Sequence, residues 1–173
     1  MKEYRVENGK SVDLGKLKAK LMARKDYAIA HEGLIIACHD VFIGYEGGIL
    51  LIKRHIFPAI NILWPLGGRI QRGMPIEESL KQRIWDESHL RLDNVKELGV
   101  GRTFWETAPF PHGKGTDTLN VVFYARGCGE LKLDKNHDEP TIVSPGDYTP
   151  RFRKGLHPYV RDYMDKAIPL VGK

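Results

Sequence analysis

The chain has 173 residues, with 27 Lys and Arg against 22 Asp and Glu, a formal net charge of +5 and a pI near 9.2. That length suits one domain, residues 1–173, with a sizeable core. No run approaches the roughly twenty apolar residues of a membrane span and MKEYRVENGK lacks the apolar stretch of a secretory leader, so a cytoplasmic protein without a membrane partner is expected.

Residues 1–30 read as an N-terminal helical extension. Within it, residues 12–25 are expected to form a helix whose Leu14, Leu17 and Leu21 make a packing stripe, while Lys16, Lys18, Lys20, Arg24 and Lys25 make a solvated basic face. Basic charge raises the question of nucleic acid, but no basic patch is interleaved with aromatic residues, and no nucleic-acid partner is expected. LIIACHDVFIGY (34–45) and GILLIKRH (48–55) read as two strands of a hairpin around Glu46-Gly47-Gly48. Cys38 and Cys128 lack metal-ligand spacing and are expected to be free thiols.

Residues 67–90, GGRIQRGMPIEESLKQRIWDESHL, carry the most chemistry. Gly67 and Gly68 suit a turn in which backbone comes close to a ligand. A helix is predicted from near Met74, because Pro75 suits a first helical position and Glu77 and Glu78 complement the positive end of the helix dipole. Ile76, Leu80 and Ile84 form its apolar stripe, and Arg83, Asp86 and Glu87 turn to a neighbouring face. Adjacent carboxylates at Asp86 and Glu87 offer the oxygen ligands that Mg²⁺ prefers, beside waters and substrate phosphates. A solvated face with an internal Arg83–Glu87 ion pair is the alternative. Strands are then predicted at 96–105, 118–126 and 140–143, with 106–117 as a long exposed connection and residues 155–170 as a final helix. Strands split among helices imply an α/β/α sandwich around a mixed β-sheet.

Arg54, which ends the second strand, and Arg69, which follows the glycines, could both grip a diphosphate with a planar guanidinium fork, or be surface charge. His137, flanked by Asn136, Asp138 and Glu139, is either a polar loop histidine or a general base whose pKa neighbouring carboxylates raise.

The segment 67–90 resembles the Nudix box, a loop, helix and loop that bind magnesium and pyrophosphate. Gly68, Ile84, Glu87 and Leu90 match its pattern and Asp86 is a conservative match, whereas Met74 stands where its first Glu belongs, Gln82 and Arg83 replace Arg-Glu, and His89 replaces its late Gly. The chain also resembles the branch of that superfamily formed by the GDP-mannose mannosyl hydrolases, whose box is reduced as well. The match there rests on GGRIQ (67–71), LLIKRHIFP (50–58), Gly115-Thr116-Asp117 and Asn136-His137-Asp138, and extends over residues 38–165.

The resemblance implies a Nudix-type α/β/α sandwich, a homodimer and a Mg²⁺-dependent hydrolase of a nucleotide sugar, with Mn²⁺ able to substitute. It assigns His137 as the base, Arg54 and Arg69 to the leaving diphosphate, and Asp40 to the active-site surroundings. It also implies one metal held by Glu87, the Gly67 carbonyl and Asn136, with Asp86 as a further carboxylate. A reduced box favours attack of water at the anomeric carbon, giving GDP and free sugar. Two other readings stay open: a Nudix pyrophosphohydrolase that cleaves at phosphorus, and a catalytically silent Nudix-fold protein that only binds a nucleotide. The remaining histidines, His31, His39, His55, His89, His112 and His157, receive no role.

Overall fold

The computed structural model describes residues 1–55, 57–135 and 137–173, without the side chain of residue 138. Its centre is a seven-stranded sheet built on β3 (Ile36–Tyr45) and β4 (Gly48–Arg54), the predicted hairpin. β5 (Leu63–Trp64) pairs with β4, and β6 (Leu66–Arg69) pairs with β3. The long antiparallel ribbon of β7 (Arg91–Trp105) and β8 (Thr116–Cys128) joins through a parallel β3–β8 ladder, and β9 (His137–Val143) adds to β4. The path β5-β4-β3-β8-β7 is therefore mixed. A two-stranded hairpin of β1 (Val6–Glu7) and β2 (Lys10–Ser11) lies apart from it.

Both faces of the sheet are covered, which is why β3 and β4 read as nearly continuous apolar runs rather than as alternating ones. Val41, Ile43, Leu50 and Ile52 meet Ile76, Leu80 and Ile84 of α2 (Ile76–Ser88) on one face. Phe42, Ile49, Leu51 and Val122 meet Val160, Tyr163 and Met164 of α4 (Pro158–Ala167) on the other. The period-two alternation of the strands distributes these residues between two cores, and the result is the expected α/β/α sandwich.

Four expectations change. Gly67 and Gly68, expected in a turn, lie within strand β6, paired with Asp40 and His39 of β3. The helix predicted at 12–25 is a single 3₁₀ turn, Leu14–Leu17, and α1 is Arg24–Gly33. Its leucine stripe has no surface to cover: Leu21 is 94% exposed, and Asp13 caps Gly15 at 2.9 Å to close a short turn. The C-terminal helix is split into α3 (Pro150–Gly155) and α4, because Pro158 has no N–H to continue a helix and starts a new one, with His157 as cap. Pro75 lies one residue before α2 and caps nothing with its side chain; instead Glu3 Oε1 accepts from the Ile76 N–H at 2.9 Å. At the other end of α2, His89 takes the left-handed φ of +56° that the late Gly of the box would adopt freely.

Candidate active site

A cavity of about 280 Å³ opens where β3, β4, β6 and β8 meet the end of α2. Its charged half is set by two backbone devices. First, β6 runs antiparallel to β3 with Gly67 opposite Asp40. A Cβ on Gly67 would collide with the His39 carbonyl oxygen and lie 2.5 Å from Asp40 Oδ1, so only glycine lets β6 lie this close. Second, β9 pairs with the end of β4 so that Arg54 and His137 are ladder partners.

Glu87 reaches the cavity from the last turn of α2 and is only 7% exposed. Burial pushes its carboxyl up to about 8, against the pull of Arg83 and with a further push from Asp134. Arg83 Nη1 approaches Glu87 Oε1 at 3.5 Å, yet among the described residues Glu87 Oε2 has no hydrogen-bond partner, nor have Arg83 Nε and Arg54 Nε. On a solvated helix face this ion pair would be complete and turned to water. Here it is half-formed and faces a cavity, with three buried polar atoms unsatisfied at one place, which is costly without a ligand.

Asp40 is buried, accepts a 2.6 Å hydrogen bond from the Tyr159 hydroxyl, and is pushed up to about 6 by burial while Tyr159 and Arg54 hold it down. Burial in turn lowers the pKa of Arg54. Arg69 lines the cavity with its guanidinium stacked 3.8 Å from the centre of the Tyr27 ring.

His137 begins a strand instead of lying in a loop. Its Nδ1 bonds Asp134 Oδ1 at 2.6 Å, so the orienting carboxylate described by the structure is three residues upstream. The expected rise in its pKa is reversed: burial lowers it, aided by Arg54 and Arg83, although Asp134 pulls the other way. With Nδ1–H donated to Asp134, Nε2 is the nitrogen left to accept a proton.

The structure thus gathers Arg54, Asp40, Gly67, Arg69, Glu87 and His137 around one cavity. Asp86 is not among its lining residues; it is exposed on an adjacent face of the helix and accepts from Gln82 Nε2 at 2.8 Å, because neighbouring helical positions diverge by about 100°. The expected ligand Asn136 lies outside the described residues. Among the described residues no group of three or more His, Cys, Asp or Glu is placed to hold a metal ion. The orphaned Glu87 Oε2 fits Mg²⁺ only as one carboxylate among oxygens supplied by backbone, water and phosphate, a common way of holding that ion. Both cysteines are free thiols, and Cys38, buried in the cavity wall, is pushed up to about 12 by burial.

Sequence reasoning missed Asp134, Tyr159, Tyr27 and the aromatic wall of Trp64 and Trp105, whose rings pack at 5.4 Å. Asp134 had a local signal, its three-residue spacing to His137. The others meet the site only through tertiary packing.

No protein-family model matches the chain. A curated relative, the low-salt glycan biosynthesis protein Agl8 of Haloferax volcanii, is 25% identical over 130 residues, 73% of this chain and 78% of the relative. Among solved structures, the MutT Nudix hydrolase of Burkholderia pseudomallei superposes with a TM-score of 0.61 at 20% identity, covering 76% of this chain and 97% of that one. A MutT protein of Methanosarcina mazei Go1 gives 0.56 at 19% identity, with 76% and 91% covered. A Nudix hydrolase of Nitrosomonas europaea gives 0.56 at 16% identity, with 81% and 97% covered. The mixed sheet between helices, with the glycine-bearing strand β6 leading to the helix that carries Glu87, is the Nudix fold.

Proposed function

We propose that this chain is a Nudix-type hydrolase of a nucleotide sugar, with GDP-mannose as the first substrate to test, and that water attacks the anomeric carbon. The observation that carries this reading is the make-up of the charged half: one buried α2 carboxylate, Glu87, between two arginines with orphaned Nε atoms, and a separate His137–Asp134 pair on β9. Cleavage at phosphorus by several metals calls for a cluster of carboxylates, whereas cleavage at carbon calls for charge neutralisation of a leaving diphosphate and an independent base. The relative named for glycan biosynthesis adds support for a sugar-bearing substrate.

Glu87, the Gly67 carbonyl and Asn136 would hold Mg²⁺, which supplies positive charge to the departing diphosphate when bound. Arg54 and Arg83 lie beside Glu87, and Arg69 lies along the cavity wall. Their fixed guanidinium groups receive the negative charge that grows on the diphosphate oxygen as its bond to the anomeric carbon breaks. His137 Nε2 takes the proton of the attacking water, and Asp134 fixes the tautomer and stabilises the imidazolium that results. The water oxygen ends on the sugar. Asp40 holds Arg54 by charge and is itself held by Tyr159.

Incubation with GDP-mannose and Mg²⁺ in ¹⁸O-labelled water tests this directly. GDP together with free, labelled mannose is the expected result. GMP with mannose 1-phosphate would assign cleavage to phosphorus, and recovery of intact substrate would leave a nucleotide-binding protein.

A further inference from the structure

The other half of the cavity is neutral and polar, and the charged residues do not account for it. Gly101 and Thr103 on β7 pair with Asn120 and Thr118 on β8, and the residues Thr118 and Asn120 are neighbours on one face of that strand. Asn120, 3% exposed, donates Nδ2–H to Thr118 Oγ1 at 3.0 Å. Trp105 donates Nε1–H to Thr103 Oγ1 at 3.2 Å, and the two threonine hydroxyls lie 2.6 Å apart.

The proton count of this network leaves something over. Each threonine oxygen already accepts from a nitrogen that can only donate. One hydroxyl proton joins the threonines, so the second has no place inside the network. Among the described residues Asn120 Oδ1 accepts no hydrogen bond. Thr103, Thr118 and Asn120 all line the cavity, which is thereby offered one donor and one acceptor side by side, with Trp105 as an aromatic wall. Thr103 stands three strands away from Arg54 along the order β4-β3-β8-β7, about 14 Å at the usual strand spacing. A diphosphate held at Arg54 and Arg83 would not reach so far.

We infer that the Thr103–Thr118–Asn120 network is a nucleobase subsite, which reads the adjacent acceptor and donor on a base edge while the diphosphate lies at Arg54 and Arg83. The assignment of the base here, and not the sugar, follows from His137: the sugar carbon must lie near the base that activates water, and His137 stands on β9 beside β4, at the opposite side of the sheet from β7. This rests on the nucleotide-sugar reading above for the direction in which the substrate lies.

Calorimetric titration of the whole protein with GDP, inorganic pyrophosphate and mannose 1-phosphate, each with Mg²⁺, tests it. Thr118→Val keeps side-chain volume and removes the hydroxyl that anchors Asn120 Nδ2 and shares the spare proton with Thr103; with the donor and acceptor no longer held side by side, it should weaken GDP binding about tenfold, the usual weight of a hydrogen bond left unpaired in a buried site, and leave pyrophosphate within about twofold. Thr118→Ser should bind GDP as the unaltered protein does. If the valine variant does not fold, Asn120→Ala is read in the same way. Equal losses for GDP and pyrophosphate, a loss confined to mannose 1-phosphate, or no loss for any of the three would overturn the assignment. Should no nucleotide sugar be turned over while Thr118→Val still selectively loses GDP, the hydrolase reading fails and the subsite stands.

Discussion

The Tyr159 hydroxyl donates to Asp40 Oδ2 at 2.6 Å across 119 positions of sequence, and so ties the C-terminal helix to the strand that pairs with the glycine-bearing β6. The bond lies in a buried place where Tyr159 also stacks on Trp64 with ring centres 5.0 Å apart. Asp40 keeps a pKa of about 6 there against an ordinary 3.8, because burial opposes its charge more than Tyr159 and Arg54 favour it.

The sign of the resulting pH dependence is fixed. The folded protein binds the Asp40 proton more tightly than the unfolded chain, so stability is present below pH 4 and is lost as pH rises to about 6. A rise from 3.8 to about 6 corresponds to about 3 kcal/mol. Urea denaturation of the native protein against Asp40→Asn, in steps from pH 4 to pH 7, should show the difference between them moving in favour of the asparagine variant by that order. A constant difference would show that Asp40 is ionised throughout.

Glu87→Gln should lower turnover of GDP-mannose by at least tenfold and weaken Mg²⁺ binding, since a neutral amide is a poor substitute for a hard anionic oxygen. Mg²⁺ titrations of turnover and of intrinsic tryptophan fluorescence provide the two readouts. Full activity in the glutamine variant would remove Glu87 from the metal assignment.

His137→Ala should reduce turnover about a hundredfold while KM changes little, the pattern of a group used mainly in the transition state. Because burial lowers the pKa of His137, the acid limb of the profile should lie below the ordinary imidazole value of 6.5. Asp134→Asn removes the influence that raises it, so that limb should move further toward acid. An acid limb that ignores both substitutions would place the base elsewhere.

Glu3→Ala deletes the only side-chain acceptor described for the first N–H of α2 and should cost about 1 kcal/mol, the usual weight of a helix cap. Thermal unfolding would register it as a fall of a few degrees. Unchanged unfolding would mean that solvent satisfies this N–H equally well.

The sequence carried the β3–β4 hairpin, α2 and the close approach at Gly67, because each is specified locally: nearly continuous apolar, β-branched runs in β3 and β4, a four-residue apolar stripe in α2, and a glycine where backbone must come near. It also named most of the charged side chains around the cavity. It misread residues 12–25, where a leucine stripe was present but a surface to bury it was not, and it could not show that the helical angle of Asp86 sets that carboxylate outside the cavity lining. The pairing of Arg54 with His137, the Tyr159 bond to Asp40 and the neutral polar network of β7 and β8 arose only when distant strands and helices packed together. The same packing set the protonation states: how far a carboxyl or imidazole is removed from water depends on what the rest of the chain places over it, and no local pattern of residues records that.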